Sequence, residues 1–213
     1  MTKISPSVLS ADLSNLAAEV KDIEESGADM VHLDVMDGVF VTNITFGLPV
    51  ISSLRSKSNM IFDVHLMIDA PERYAMRFIE AGADILTFHL EATKEASELL
   101  SIIRSQGVMA GISIKPGTPA EDVYPYLEQC DMVLVMTVEP GYGGQALIPE
   151  TLEKVRKIKA EIDRRCLDTV IQVDGGINAD NAHIAVEAGA DILVAGSSVF
   201  GKSDRKAAIE ALR

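Results

Sequence analysis

The stretch Ala188-Gly189-Ala190-Asp191 followed by Ile192-Leu193-Val194-Ala195 joins the end of a helical pattern to a short apolar run. Gly189 suits the left-handed conformation that commonly ends a helix, and the β-branched run after Asp191 is typical of a strand. The same signal recurs at Ser26-Gly27-Ala28-Asp29 and Ala81-Gly82-Ala83-Asp84. The spacings correspond to about two and four units of roughly 27 residues, which predicts an internal repeat of helix and strand.

Outward from these stretches, apolar runs alternate with helical patterns along the whole chain. Alternation of this kind implies right-handed crossovers and a parallel sheet. Eight units in 213 residues predict an α/β fold, a single-domain (β/α)8 TIM barrel over residues 1–213. The alternative is an open doubly wound sheet, but Leu9-Ser10-Ala11-Asp12 lacks the glycines that such a sheet carries after its first strand. The predicted strands are 4–9, 30–35, 61–67, 84–89, 109–114, 131–137, 169–173 and 191–195, and the predicted helices are 12–26, 71–81, 94–105, 119–128, 149–164 and 180–188.

The composition is that of an acidic globular protein. Hydrophobic residues make up 47% of the chain, and 32 Asp and Glu against 19 Lys and Arg give a net charge of -13. Nucleic acids and anionic membranes would be repelled at long range, so we expect neither as a partner. The first residues contain too short an apolar stretch for a signal peptide, and the chain contains no apolar run of the length that spans a membrane. We therefore expect a cytoplasmic protein. Cys130 and Cys166 have no ligand-like spacing, and we expect both to be unpaired.

Polar side chains share one face of two predicted strands. In a barrel, residues alternate between the lumen and the helix layer, and catalytic groups lie at the C-terminal ends of strands. Asp174 follows the seventh strand beside Gly175 and Gly176. These side chains should therefore converge on one lumen. The residues of the polar parity are His32, Asp34 and Met36 in the second strand, and Asp63, His65 and Met67 in the third.

Two imidazoles and two carboxylates in one lumen predict a metal site. His32, Asp34, His65 and Asp174 suit one divalent ion, such as Zn(II), Fe(II), Mn(II) or Co(II). Each histidine taken alone is more typical of a hydrogen-bonded core residue. The two carboxylates, however, would repel each other unless a cation or a shared proton offset their charge. Asp63 lies one pleat deeper, where a structural hydrogen-bonding role is expected.

Methionines and glycine-rich turns surround the same strand ends. Met36, Met67 and Met136 are typical of core filler, or they form a dry floor that excludes water from a reactive intermediate. Backbone N–H groups after the seventh and eighth strands form the phosphate cradle common in such barrels. Few cationic side chains lie at strand ends, so backbone dipoles should hold a phosphate. The three turns are Pro140–Gln145, Asp174–Ile177 and Gly196–Ser198.

Together, these motifs resemble the D-ribulose-5-phosphate 3-epimerase family, and the resemblance runs nearly end to end. The matching segments are Ser5-Pro6-Ser7 with 9–12, His32 to Gly38, Asn43 to Gly47, Asp63 to Met67, Lys115 to Thr118, Glu139 to Gln145, Val173 to Ile177, and Gly196-Ser197.

The resemblance implies an activity and a set of site residues. The fold would be the ribulose-phosphate binding barrel, and the reaction the interconversion of D-ribulose 5-phosphate and D-xylulose 5-phosphate in the pentose phosphate pathway. His32, Asp34, His65 and Asp174 would ligate the metal. Asp34 and Asp174 would also exchange protons with C3 on opposite faces, through an enediolate. With the methionines included, the expected substrate contacts are Ser7, Met36, His65, Met67, Met136, Gly141, Tyr142, Gly143, Gly144, Gly175, Gly176, Gly196 and Ser197.

The chain departs from the family pattern in its rim loops. Val39 and Thr42 stand where the family commonly has His and Pro, and Tyr142 stands where Phe is usual. Loss of a proline loosens the loop before it. These changes should affect substrate selection and lid closure and leave the reaction class unchanged.

Three other functions remain open from the sequence. One is a 3-epimerase of a hexulose phosphate such as D-allulose 6-phosphate, since one added carbon changes pocket contacts modestly. Another is a phosphosugar decarboxylase or aldol-type lyase, whose Lys between strand-end carboxylates is replaced here by Met36. The third is a non-catalytic phosphosugar-binding barrel. In each case we expect a small-molecule phosphosugar partner and a homo-oligomer.

Overall fold

Eight parallel strands form one sheet in the order β1-β8-β7-β6-β5-β4-β3-β2. The computed structural model describes residues 2–213, and it confirms the predicted (β/α)8 barrel. The two end strands of this order, β1 and β2, meet through a parallel bridge from Ser7 to His32 and through two hydrogen bonds between Ile4 and Asp29, so the barrel is nearly closed. The strands are β1 (Lys3–Pro6), β2 (Met30–Met36), β3 (Ile61–Met67), β4 (Ile85–His89), β5 (Met109–Ile114), β6 (Met132–Met136), β7 (Val170–Asp174) and β8 (Ile192–Ala195).

Eight helices lie between and after the strands. The longest, α5, has 15 residues, and no helix within residues 2–213 is both long and apolar enough to cross a membrane. The helices are α1 (Leu16–Glu25), α2 (Leu48–Arg55), α3 (Ala75–Glu80), α4 (Ala96–Ser105), α5 (Thr151–Arg165), α6 (Ala182–Ala188), α7 (Ser197–Phe200) and α8 (Arg205–Glu210).

The clearest differences from the predicted elements are in the first strand and in the helix predicted at 119–128. The helices predicted at 12–26 and 71–81 also contain 3₁₀ turns, Leu13–Asn15 and Pro71–Arg73, ahead of α1 and α3. Residues Val8–Ser10 form a 3₁₀ turn, so the first strand ends earlier than predicted. The side chain of Ser7 starts this turn by accepting a hydrogen bond from the N–H of Leu9. The predicted helix at 119–128 is a 3₁₀ segment, Ala120–Tyr126, because Pro125 within it lacks the N–H that an α-helix needs.

Four aspartates, which we call the strand clamps, tie neighbouring strands together. Each clamp immediately precedes an even-numbered strand. Its N–H donates to the carbonyl of one residue in the strand before, and its carboxylate accepts from the N–H of that same residue at 2.8–2.9 Å. The repeat found in the sequence is therefore a hydrogen-bonding unit that occurs four times. The pairs are Asp29 with Ile4, Asp84 with Phe62, Asp131 with Ala110, and Asp191 with Ile171.

Side chains of the strands separate into an apolar outer layer and a partly polar lumen. Val31, Leu33 and Val35 of β2 pack in the main core between the barrel and its helices, as their parity predicts. The N-terminal end of the lumen is filled by an apolar layer that includes Met30 and Met132. The polar residues of the lumen lie above this layer, toward the C-terminal strand ends.

Candidate active site

Strands β2, β3 and β7 bring polar side chains to the C-terminal end of the barrel. In the pairing of β2 with β3, Asp34 lies beside His65 and Met36 lies beside Met67. Asp174 is the last residue of β7. Because side chains of one parity share the lumen, these strand ends point toward a common space.

The structure brings the four predicted metal ligands together. One nitrogen or oxygen atom from each of His32, Asp34, His65 and Asp174 lies within 4.8 Å of the others, and such a group could hold a metal ion. Asp34 Oδ1 lies 3.1 Å from His65 Nδ1 and 3.3 Å from His32 Nε2. Asp174 Oδ2 lies 3.8 Å and 3.9 Å from the same two nitrogens. Both carboxylates therefore face the same pair of imidazole nitrogens.

The imidazole of His32 is oriented by the buried carboxylate of Asp63. His32 Nδ1 lies 2.7 Å from Asp63 Oδ2, which also accepts hydrogen bonds from Ser5 Oγ at 2.9 Å and Gln172 Nε2 at 2.6 Å. His32 Nε2 is buried and has no hydrogen-bond partner within residues 2–213. With its proton on Nδ1, the ring directs the Nε2 lone pair at the carboxylates. This orphaned nitrogen, next to two carboxylates, fits a borderline divalent cation.

The carboxylates of the cluster differ in proton affinity. Burial raises the pKa of Asp174, and the nearby charge of Asp34 raises it further. Burial acts in the same direction on Asp34, but His32 and His65 outweigh it and hold the pKa of Asp34 well below its usual range. Burial likewise opposes a charge on His32, yet Asp63 and Asp34 raise the pKa of its imidazole well above the usual value. Asp34 is thus the better-stabilised anion, and Asp174 is the better proton carrier.

Two hydroxyl groups fix the position of Asp34. The hydroxyl of Ser7, across the β1–β2 seam, donates to Asp34 Oδ2 at 2.5 Å. The hydroxyl of Thr45 donates to the Asp34 carbonyl at 2.6 Å and accepts from the N–H of Met36 at 3.0 Å. The family resemblance implies that Ser7 contacts substrate. No pattern in the sequence indicates a role for Thr45, because a hydrogen bond between a loop and a strand has no periodic signal.

His89 and Glu91 are polar groups of the site that sequence analysis did not identify. His89 is fully buried at the end of β4, and its Nε2 lies 2.9 Å from His65 Nε2. Burial lowers the pKa of His89 to about 4. Parity could have identified it, because Thr87 and His89 alternate with Leu86 and Phe88 just as the polar residues of β2 and β3 alternate with apolar ones.

A cleft of about 790 Å³ opens above the cluster at the C-terminal strand ends. Every expected substrate contact except His65 lines it, and His65 lies buried beneath. Met36, Met67 and Met136 are at most 3% exposed, so they fill the base of the cleft while packing against other apolar residues. The methionines are therefore buried apolar residues that also line the cleft, and their role as a dry floor stays a prediction.

Glycines shape the wall of the cleft after β7 and β8. Gly176 has a φ of +69°, and a Cβ atom there would lie 2.3 Å from the backbone nitrogen of Leu147. A Cβ on Gly196 would lie 2.5 Å from Ser10 Oγ. Gly196 precedes α7, and the N–H groups in the first turn of a helix have no partner within that helix. Lys202 also lines the cleft.

Comparison with known proteins identifies the family of this site. The model of the ribulose-phosphate 3-epimerase family matches residues 3–200. The chain belongs to the ribulose-phosphate 3-epimerase family. The family resemblance of the motifs is thereby confirmed, and with it the prediction that the chain is an epimerase.

Relatives in this epimerase family match over almost their whole length. The Bacillus subtilis ribulose-phosphate 3-epimerase is 46% identical over 214 residues, covering 100% of this chain and 99% of the relative. The Mycobacterium tuberculosis protein of the same name is 50% identical over 210 residues, with 99% and 91% coverage. A rice relative named as the cytoplasmic isoform is 46% identical, with 99% and 92% coverage.

Solved structures of other enzymes share the fold of the epimerase family. A 3-keto-L-gulonate-6-phosphate decarboxylase from Vibrio cholerae superposes with a TM-score of 0.76 at 17% identity, covering 100% of this chain and 95% of that one. A 3-hexulose-6-phosphate synthase gives 0.72 at 19% identity, covering 99% and 98%. At these identities the likeness shows the barrel alone. The epimerase family, and not the lyase class, is the one that the sequence matches.

Two of the three residues that depart from the expected family pattern, Thr42 and Tyr142, meet at the rim of the cleft. Thr42 Oγ1 lies 2.9 Å from the hydroxyl of Tyr142, and the side-chain amide of Asn43 donates to the carbonyl of Gly141 at 2.9 Å. The loop after β2 and the loop after β6 are therefore joined by two hydrogen bonds. The bond between Thr42 and Tyr142 needs the hydroxyl groups of both residues, and these are the hydroxyls that the expected family pattern lacks.

Proposed function

We propose that this chain interconverts D-ribulose 5-phosphate and D-xylulose 5-phosphate by moving a proton at C3. The observation that carries the proposal is the pair of carboxylates, Asp34 and Asp174, facing the same two imidazole nitrogens at the base of a cleft. The family supports the substrate class, because its curated relatives bear the name ribulose-phosphate 3-epimerase.

The proposed metal ligands are His32, Asp34, His65 and Asp174. Their two nitrogens and two carboxylates suit Zn(II), Fe(II), Mn(II) or Co(II), and availability selects among these ions. When bound, a divalent ion there would act as a Lewis acid that stabilises negative charge developing on the substrate oxygens. Its charge would also offset the repulsion between Asp34 and Asp174.

Asp34 and Asp174 are the proposed catalytic residues. Epimerisation needs one group that removes a proton from one face of C3 and another that delivers a proton to the opposite face. The pKa of Asp34 is lowered and that of Asp174 is raised, so one carboxylate can be ionised while the other carries a proton, which is the pairing that a two-base transfer needs. In the reverse direction the roles exchange.

The remainder of the cleft supports binding of a phosphosugar. Met36, Met67 and Met136 would exclude water beneath the reacting carbons and so protect a carbanionic intermediate from side reactions. The other proposed contacts hold the sugar and its phosphate through hydroxyl and backbone N–H groups. These contacts are Ser7, His65, Gly141, Tyr142, Gly143, Gly144, Gly175, Gly176, Gly196 and Ser197.

The proposal extends to the state of the protein in the cell. We place it in the cytoplasm as one barrel domain over residues 1–213 that assembles with copies of itself. The rice relative named as a cytoplasmic isoform supports the location. Exposed apolar side chains such as Ile61, Met76 and Ile184 support self-association. Sedimentation of the purified protein tests the assembly, and a monomer at all concentrations would contradict it.

Proton exchange at C3 tests the reaction directly. In deuterated water, the metal-loaded protein should incorporate deuterium at C3 of D-ribulose 5-phosphate, and elemental analysis of the same sample should show a bound divalent metal. Asp34→Asn and Asp174→Asn should each lower turnover by about 10²- to 10⁴-fold or more, while the exposed Asp168→Asn should not. Near-native turnover in either site variant would refute the assignment, and faster turnover of D-allulose 6-phosphate would favour the hexulose alternative.

A further inference from the structure

A line of side chains, which we call the histidine relay, runs from the proposed metal site toward the loop after β5. It consists of His65, His89 and Glu91. His65 Nε2 lies 2.9 Å from His89 Nε2, and the two rings stack with their centroids 5.0 Å apart. His89 Nδ1 lies 3.3 Å from Glu91 Oε2. Every ring nitrogen of the relay therefore faces a polar partner.

The carboxylate at the far end of the histidine relay is firmly anchored. Glu91 Oε1 accepts a hydrogen bond from the N–H of Lys115 at 2.8 Å and another from the hydroxyl of Thr118. Lys154 Nζ in turn donates to the carbonyls of Lys115 at 2.8 Å and Thr118 at 2.6 Å. The loop that holds Glu91 is thus tied to helix α5.

The middle of the histidine relay is shielded from solvent. The ring of Phe40, from the loop after β2, packs against His89 at 4.8 Å between centroids. Lys115 Nζ lies 3.7 Å from the centroid of the same Phe40 ring. Water is therefore excluded from the hydrogen bonds that His89 makes with His65 and Glu91. In this low-dielectric setting, those hydrogen bonds are stronger than they would be in water.

The arrangement of protons along the histidine relay follows from one requirement. If Nδ1 of His65 offers its lone pair to a cation, its neutral ring carries the proton on Nε2. That proton is donated to Nε2 of His89, whose own proton must then lie on Nδ1. Nδ1 of His89 donates in turn to the carboxylate of Glu91. Each donor in the line meets one acceptor.

We propose that His89 and Glu91 are positioning residues, which hold His65 in the tautomer that directs its Nδ1 lone pair into the metal site. The proposal rests on the metal site of the proposed function. His89 and Glu91 would orient the ring of His65 as Asp63 orients the ring of His32 through its hydrogen bond to Nδ1. Partners of this kind orient ligand histidines, and their loss lowers metal affinity about 10- to 100-fold.

Metal affinity measured without turnover tests the histidine relay. Zinc dissociation constants would be determined by competition with a chromophoric chelator for the wild type, His89→Leu, His89→Gln and Glu91→Gln. His89→Leu should weaken zinc binding about 10- to 100-fold, and His89→Gln, which retains an acceptor for His65, should restore most of the affinity. Glu91→Gln, which retains an acceptor for His89 Nδ1, should weaken binding less than His89→Leu does. The exposed variants His183→Leu and Glu95→Gln serve as matched controls and should bind like the wild type.

A second measurement covers the case in which His89→Leu does not fold. Long-range ¹H–¹⁵N correlation spectra of the zinc-loaded wild type should show the His89 proton on Nδ1. A proton on Nε2 of His89 would overturn the proposal, and so would wild-type zinc affinity in folded His89→Leu. If the wild type itself bound no divalent metal, the proposed function would fail first. If the wild type bound zinc tightly and folded His89→Leu bound it equally well, the histidine relay would be refuted and the proposed function would stand.

Discussion

At the scale of single residues, the glycines of the cleft wall show where backbone shape matters. Gly176 combines a positive φ with a close approach to Leu147, so an alanine there would be strained and would displace the wall. We expect Gly176→Ala to raise KM for the phosphosugar and to lower the free energy of unfolding by about 1 kcal/mol or more. Steady-state kinetics and urea unfolding measure the two effects.

Gly117 supplies the matched control for this prediction. It has no positive φ, and a Cβ atom there would meet nothing within 4 Å. Gly117→Ala should therefore leave KM and stability nearly unchanged. A Gly176→Ala variant that behaves in the same way would show that this turn does not shape the binding site.

Site residues within strands can be predicted from the sequence, whereas the hydrogen bonds of site residues in loops cannot. His32 and Asp34 stand out because polar residues alternate with apolar ones along a strand, and this alternation is visible in the sequence. Thr45 bonds from the loop after β2 back to that strand, and Glu91 bonds to the loop that follows β5. Such contacts depend on how the barrel closes, and no local pattern reports them.

At the scale of elements, the two rim loops form a linked pair. Because the Thr42 and Tyr142 hydroxyls bond to each other, Thr42→Val and Tyr142→Phe should each raise KM by a similar factor of about 2 to 5. The double variant should be no worse than either single one, since the bond is lost only once. Kinetics of all four proteins test this, with Tyr124→Phe on the barrel exterior as the control. Additive effects would show that the hydroxyls act independently.

The strand clamps make a separate prediction about stability. Removing the Asp191 carboxylate leaves the N–H of Ile171 without its acceptor, so Asp191→Ala should lower the free energy of unfolding by about 1–3 kcal/mol. Asp168→Ala, at an exposed position just before the same strand β7, should change it little. Urea unfolding measures both. An equal loss in the two variants would mean that the clamp contributes nothing specific.

Strands and helices are predictable where apolar residues form a dense or regularly spaced run. Short elements with few buried residues are not. All eight strands were found because apolar runs are dense in a buried parallel sheet. Helices α2, α7 and α8 were not predicted. Helix α2 buries only Ile51 and Leu54 and includes two serines, and α7 and α8 have only four and six residues. The third clamp was also missed, because Cys130 precedes Asp131 where the other repeats have alanine.

At the scale of the whole molecule, the charge of -13 must coexist with an anionic substrate. Lys202 is the one Lys or Arg residue among those that line the cleft within residues 2–213. Because backbone dipoles act at short range, KM should change by less than about twofold between low salt and about 0.5 M NaCl. Kinetics across that range test the expectation. A steep dependence would show that long-range charge governs binding.

The seam between β1 and β2 connects folding to activity. Ser7 bonds to Asp34 across this seam, while β1 itself is held by β8 on its other side. Asp34 therefore gains this partner only after β1 has docked at the seam, where Asp29 also bonds to Ile4. During refolding, recovery of turnover should follow the closing of the ring and lag behind the formation of β2 to β7. Gly196 and Ser197, which line the cleft, follow β8. A chain emerging from the ribosome would therefore remain inactive until this last strand had paired.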